Sequence, residues 1–483
     1  FFFLMIRLPP ISTPLYSSAA SDVYKRHFEG CVDPSHPSFI TMTNVGNGGS
    51  KPLGLTTATA FVIAAMVGTG VFTTLGFQVA DIRSPFAIMM LWLVGGVVAL
   101  CGALSYGELG AALPRSGGEY HILSRVYTQA LGFLDRWVSA TGGFAGPSAL
   151  AAMALASYTD AFIPGLPAKH LAAGAVLTFT LIHASSLRVG ALFQNVLTGL
   201  KVCLILGFIV AAFTVDHAQE LSLVPQVGVL GVMTGPAFAV ALIFVSYAYT
   251  GWNAAIYVIG EIDQPSRTLP RALLLGTGVV TVLYVLLNYV FLRTVAMDQL
   301  AGQIEVGFLA GVQIFGEAGG QLTAAIIAGL LASTVSAYVF LGPRILMVMG
   351  EDIPALAWLS AKSRRGLPVN AFIFQTVLAL TFIYTSTFPQ VLLYASILLT
   401  TISTLAVAGV YVLRSTEPHL VRPYRTWGYP VTPAIYLAVN VWALTFVLMN
   451  ETFASLVGLG ILGVGLVLYA VMQRLIFSRT PVG

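Results

Sequence analysis

The stretch Phe61 to Gln78, FVIAAMVGTGVFTTLGFQ, has the apolar content of a membrane helix but carries Gly68, Thr69 and Gly70 near its middle. Glycine weakens a helix interior, and backbone groups freed in a bilayer are tolerated only where protein or a water-filled cavity satisfies them. A break here therefore marks a candidate site. A second apolar stretch, Phe238 to Ile259, is interrupted in the same way by Tyr249, Thr250, Gly251, Trp252 and Asn253. Two interrupted hydrophobic segments, one in each half of a chain, point to the binding site of a transporter.

Composition sets the class. Of 483 residues, 57% are hydrophobic and only 9% charged, with a mean hydropathy of +0.86, whereas an ordinary soluble domain carries about 25% charged residues. This is a multi-spanning membrane protein. The formal net charge of +4 is scattered over short loops rather than gathered in a patch, so no nucleic acid is expected. Cys31, Cys101 and Cys203 lie far apart, which gives no metal or redox spacing and leads us to expect free thiols, no metal and no cofactor.

Residues 1–51 differ from the rest. The segment opens on FFFLMI, continues through Pro9, Pro10 and Pro14 without a small-residue cleavage site, and ends in TNVGNGGSK. We expect a disordered or non-native extension, with Met42 as a start of the native chain. From there a single transporter domain, 52–483, is expected. Apolar segments predict about twelve helices at 56–79, 86–112, 131–158, 169–186, 190–214, 236–260, 271–294, 319–349, 369–386, 389–413, 431–449 and 453–475, each near the ~20 residues that cross ~30 Å of hydrocarbon. Loops on the side of the N-terminus hold Lys51, Arg115, Arg125, Arg188, Arg267, Arg271, Lys362, Arg364, Arg365, Arg414, Arg422, Arg425, Arg474 and Arg479, against Arg83, Lys169 and Arg293 on the other. That bias predicts both termini in the cytoplasm and a multi-pass protein of the cell membrane, plasma or bacterial inner.

The first break has a chemical reading. If the helix stops near Val67 and restarts at Val71, amides around Thr69, Gly70 and Val71 sit at a half-helix N-terminus, which favours a carboxylate. Carbonyls near Ala65 and Met66 end the preceding half-helix and can accept from an ammonium. One broken helix thus serves both ends of a zwitterion. A pair of small residues alone also serves close helix packing; the matching interruption at Thr250 and Gly251 favours a site. Lys201 is the second informative residue. Its span starts near Gly190, which places it about 16 Å into the membrane at 1.5 Å per residue, too deep for ~6 Å of side chain to snorkel. An ionisable group at that depth is a functional candidate unless the span start is misplaced. Burial disfavours its charged form, so proton exchange is chemically reasonable.

GTGVF (68–72), YGELGAALPRSGGEY (106–120), GWNAAIYVIGEIDQPSRTLPRA (251–272) and PYRTWGYPVTP (423–433) resemble the amino acid–polyamine–organocation superfamily, closest to its L-type amino acid transporter branch and bacterial relatives. The resemblance runs from about Leu55 to the C-terminus and implies an all-α membrane fold. Two inverted five-helix repeats, about 55–214 and 235–413, would be followed by two added helices, about 431–475, with helices 1 and 6 broken. It implies substrate carboxylate on the amides of Thr69, Gly70 and Val71, and ammonium on carbonyls near Met66, Tyr247 and Thr250, with Ala65, Ala248 and Gly251 in the same interruptions. Tyr247 matches the family's aromatic gate, or else is a core aromatic, and Asn253 matches a polar residue near the pocket. Lys201 matches a lysine on helix 5 that packs against broken helix 1 where related carriers hold sodium, so sodium-independent transport, by proton coupling or exchange, is expected.

Other candidates are weaker. Ser333, Thr334 and Ser336 can line the same region or bond their own helix; His183 reads as structural. Glu108, Glu119 and Glu261 read as scaffold residues at cytoplasmic helix ends, acting through caps and loop ion pairs. With no carboxylate expected at either break, neutral L-amino acids are favoured as substrates, although carbonyls and cation–π contacts can hold a cation. A cationic amino acid or polyamine exchanger and a non-transporting sensor are the alternatives. An enzyme would need a nucleophile–base pair or ligand cluster within the membrane, and none appears in the pattern; a channel would need filter residues and oligomeric symmetry. The link Asp160 to Lys169 has no cysteine, whereas L-type members that pair with a glycoprotein use one there. We therefore expect no disulfide-linked glycoprotein subunit, and a monomer or loose homo-oligomer in the lipid bilayer.

Overall fold

The computed structural model describes residues 52–115, 117–185, 191–213, 219–363 and 366–477. The expected extension over 1–51, with Cys31 and Lys51, and the loop residues Arg188, Arg364, Arg365 and Arg479 lie outside the described residues. Among the described residues, twelve main helices follow the order that hydropathy predicts. Helix α1 is broken into Leu55–Met66 and Gly70–Thr73, the latter continued by Leu75–Asp81; α2 is Pro85–Ala112, α3 Gln129–Asp160, α4 Ala168–Ser185 and α5 Ala191–Ala212. Helix α6 comprises Pro236–Tyr249 and, past a break, Ala254–Glu261; α7 is Pro265–Thr294, α8 Val306–Asp352, α9 Val369–Thr385, α10 Phe388–Thr416, α11 Val431–Asn450 and α12 Thr452–Phe477. Nine of them are long and apolar enough by themselves to cross a membrane, among the described residues. The described apolar part of α5, Leu200–Ala212, and α9 are shorter, and α4 carries Lys169, His170 and His183, which lower its hydropathy.

Local sequence explains the irregularities. Pro147 in α3 has no N–H for the helix ladder, and the widened π turn Ser139–Ala145 lies immediately before its segment, where it absorbs the lost bond. Helix α8 starts earlier than the expected 319. Gly316 takes φ 75°, which splits the segment, and the arm before it folds back so closely that a Cβ on Gly320 would lie 2.3 Å from the Val312 side chain. A helical hairpin precedes the span.

Contacts divide the bundle. Helix α7 lies along α1 and α2, while α8 lies along α3 and α4 and α9 joins that second group; α6 sits against α2, α10 and α11. The entry to α1 is tied to the exit of α6: Leu53 N donates to Glu261 O at 2.8 Å and Asp263 N to Leu53 O at 3.0 Å. Glu261 thus acts through its backbone, and no ion pair joins it to Arg267 or Arg271 among the described residues. Glu108, by contrast, receives Arg414 on both oxygens, at 2.8 and 2.7 Å, and the Thr426 amide at 2.7 Å. This fork pins the end of α2 to α10 and to the loop before α11.

Candidate functional site

The two breaks lie on one another. In α1 the chain leaves the helix at Val67 and re-enters at Gly70; in α6 Thr250 turns extended and Gly251 takes φ 106°. A Cβ on Gly251 would sit 2.5 Å from the Ala65 carbonyl oxygen, and one on Gly70 2.6 Å from the Ala248 Cα. Each glycine therefore presses backbone against backbone of the other helix, and no side chain fits at either contact. At Gly251 the positive φ excludes other residues as well. The sequence-derived residues Ala65, Met66, Thr69, Gly70, Val71, Tyr247, Ala248, Thr250 and Gly251 are brought together by this crossing.

Polar groups at the crossing are unevenly satisfied. No hydrogen bond to the backbone amides of Thr69, Gly70 or Val71 is present among the described residues, whereas the Thr69 carbonyl accepts from Phe72 N and from Thr73 Oγ1. The Met66 carbonyl accepts from the Tyr284 hydroxyl of α7 at 2.7 Å, and the Phe72 carbonyl accepts from Tyr158 of α3 at 2.8 Å. The Tyr247 carbonyl takes the Thr250 amide at 3.0 Å. The Tyr247 hydroxyl is buried beside Thr69 and makes no hydrogen bond of good geometry among the described residues. Tyr284 and Tyr158 were missed from sequence; tyrosines deep in apolar helices, whose hydroxyls need a partner, are the signal that finds them.

Lys201 is 6% exposed and donates to Thr334 Oγ1 of α8 at 2.8 Å. The Thr334 hydroxyl in turn donates to the Leu330 carbonyl at 3.0 Å. No carboxylate pairs with Lys201 among the described residues. The ammonium thus meets α8, and no hydrogen bond joins it to α1 among the described residues. Ser336 is occupied by His183 at 2.8 Å, which accounts for both as structural.

Asn253 leads away from the crossing, and here two expectations are corrected. Glu119 makes no ion pair among the described residues; its carboxylate is buried and accepts from Tyr106 of α2, from Asn253 Nδ2 at 3.1 Å and from Tyr257 at 3.2 Å. It is not a loop-pairing residue, and a carboxylate does reach the α6 break. The cause is tertiary. Gly117 and Gly118 take φ 143° and 62°, and a Cβ on Gly118 would fall 2.1 Å from the Tyr257 ring, so only glycine lets helix Gly118–Val126 dock on α6. Burial pushes the Glu119 carboxyl above its ordinary value, while its three hydrogen bonds pull it back. On this side of the break a cavity of about 50 Å³ opens between α2, α6, α10 and α11, with Glu119 and Asn253 in its wall.

Comparison with known proteins gives one consistent result. The Amino acid permease family profile matches residues 53–477. The chain is 26% identical over 439 residues to the large neutral amino acids transporter small subunit 2 of Homo sapiens, covering 88% of this chain and 81% of that one. It is 27% identical over 414 residues to the b(0,+)-type amino acid transporter 1 of Mus musculus, covering 83% of each. The serine/threonine exchanger SteT of Bacillus subtilis (strain 168) is 28% identical over 427 residues, covering 86% and 95%.

Proposed function

Since the chain belongs to the amino acid permease family and is an amino acid transporter rather than an enzyme, we propose that its substrate is held as a zwitterion at the crossing of α1 and α6. The unpaired amides of Thr69, Gly70 and Val71 carry the reading. Buried N–H groups without acceptors cost free energy until a ligand supplies one, and at the start of a half-helix that ligand is an anion. Substrate carboxylate goes there. Its ammonium goes to carbonyls at Met66, Tyr247 and Thr250, and Tyr247, whose buried hydroxyl has no partner among the described residues, closes over it. Ala65, Ala248 and Gly251 hold the two backbones at the required spacing.

Movement follows from the packing. The bridge between Leu53 and Ile262 makes α1 and α6 travel together, with α2 and α7 against them, while α3, α4, α8 and α9 form the frame. Lys201 contacts that frame through Thr334. A charged lysine held by the Thr334 hydroxyl, with no carboxylate paired to it among the described residues, is costly to keep buried, so gain and loss of its proton changes how α5 sits on α8, and through it the frame behind α1. Transport is then sodium-independent, by proton coupling or by exchange. The cell membrane, cytoplasmic termini and function without a disulfide-linked glycoprotein subunit complete the proposal, the last because Asp160 to Lys169 lacks cysteine.

Uptake of labelled amino acids into proteoliposomes, with and without an inward proton gradient, tests it in wild type and Lys201→Ala. Stimulation by the gradient in wild type and its loss in the variant is the expected result. Equal stimulation in both would remove Lys201 from the coupling step, and binding without flux would make the protein a sensor.

A further inference from the structure

The geometry points to a cation subsite in the cavity beside the α6 break, one that accepts a protonated primary amine at Glu119. This rests on the reading that the crossing of α1 and α6 holds an amino acid backbone, because Asn253 in the break is itself bonded to Glu119.

The lining side chains have mostly spent their donors. Ser246 donates to Leu242 O at 2.9 Å, Thr250 to Ser246 O at 3.2 Å and Ser403 to Leu399 O at 2.9 Å. The Tyr436 hydroxyl donates to Ser403, and Asn440 donates to the Tyr436 carbonyl, both at 2.9 Å. Only Thr400 and the Trp252 indole carry no such bond among the described residues. Those two groups and the second amide hydrogens of Asn253 and Asn440 apart, what these side chains offer the cavity is oxygen lone pairs. A carboxylate has about four acceptor positions, and Glu119 fills three. Its charge is buried with no basic side chain ion-paired to it among the described residues, since Arg136 is engaged by Asp352 and lies over the Tyr120 ring. A buried, acceptor-lined anion calls for a cation that brings its own donors. An ammonium does so with three.

Size selects among ammonium compounds. About 10–15 Å³ on this measure holds one water-sized group, so the cavity of about 50 Å³ admits an ammonium and two or three methylenes but not a whole amino acid. The amine arrives either as the end of a side chain whose backbone lies at the crossing, or as a small free amine. The groups facing Glu119 are Tyr106 of α2, Asn253 and Tyr257 of α6 and Asp135 of α3, with Tyr436 of α11 near and His121 on its own helix. No cation stands among them, and protons compete with the amine for the carboxylate.

Binding of lysine, norleucine and methylammonium to the purified protein tests this, in wild type, Glu119→Gln and Asn440→Leu. Norleucine is lysine without its side-chain ammonium. Charge-assisted hydrogen bonds predict that wild type prefers lysine over norleucine by roughly tenfold to hundredfold, that the preference disappears in Glu119→Gln and weakens in Asn440→Leu, and that it falls as pH is lowered. Methylammonium that competes with lysine but leaves norleucine binding unchanged assigns the cavity to a side chain end. Methylammonium bound alone, without any lysine preference, assigns it to a free amine. Equal affinity for lysine and norleucine with no methylammonium binding, or a preference that survives both substitutions, overturns the inference and leaves the transporter reading standing. Failure of all three ligands to bind wild type overturns both.

Discussion

The two faces of the α6 break are built in opposite ways. Toward α1, Gly251 and Gly70 bring backbones together with no room for a methyl group; toward α2, α10 and α11, a cavity opens on a buried carboxylate. In the proposed reading, the closed face serves what all amino acids share, their charged backbone ends, through fixed dipoles at fixed spacing, and the open face serves what differs among them. On that reading permissiveness and selectivity occupy opposite sides of one interruption.

Filling the closed face should do the most damage. Gly251→Ala combines a positive φ, worth roughly 1–2 kcal/mol, with a clash against a backbone carbonyl that cannot turn aside, so uptake is expected to drop by about a hundredfold or more. Gly278→Ala on α7 is the matched control, since a Cβ there meets nothing within 4 Å; uptake at wild-type rates is expected. Equal loss in both variants would mean that the break contact is ordinary helix packing.

Tyr284→Phe is milder. It removes one buried hydrogen bond to the Met66 carbonyl, worth about 1 kcal/mol net, and the expected outcome is a KM change of severalfold with uptake otherwise preserved. An unchanged KM would show that this carbonyl does not face substrate.

The smallest effect concerns the open face. Burial holds the Glu119 carboxyl above its ordinary value, so its contribution to stability is full at acid pH and is lost as pH rises through the raised value. Thermal unfolding in detergent should therefore show wild type gaining stability toward acid pH relative to Glu119→Gln. A pH-independent difference between the two would remove Glu119 from that titration.

Much of the closed face was legible. Gly68, Thr69 and Gly70, and Thr250 with Gly251, stand out because a membrane helix has little reason to interrupt itself, and the twelve spans follow from hydropathy. The open face was hidden. Glu119 lies between spans, where a carboxylate ordinarily meets solvent, and its burial depends on Gly117 and Gly118 letting a short helix dock on Tyr257, a tertiary approach that no periodicity encodes. The α8 arm was hidden for a related reason, since Gly316 among apolar residues looks like any packing glycine until its φ of 75° is known. Lys201 is conspicuous by its depth in an apolar span, whereas its hydrogen-bond partner Thr334, on α8, looks in sequence like any hydroxyl that bonds its own helix.

Competition against labelled amino acid uptake tests the central claim most directly, using a transported amino acid, its N-acetyl derivative and its amide in the same proteoliposomes. A site that grips the zwitterion at the crossing predicts full competition by the parent and at least tenfold weaker competition by each blocked analogue, from the loss of a charge-assisted bond at one end. Equal competition by either analogue would contradict the account, because the corresponding half of the crossing would then have no charge to hold.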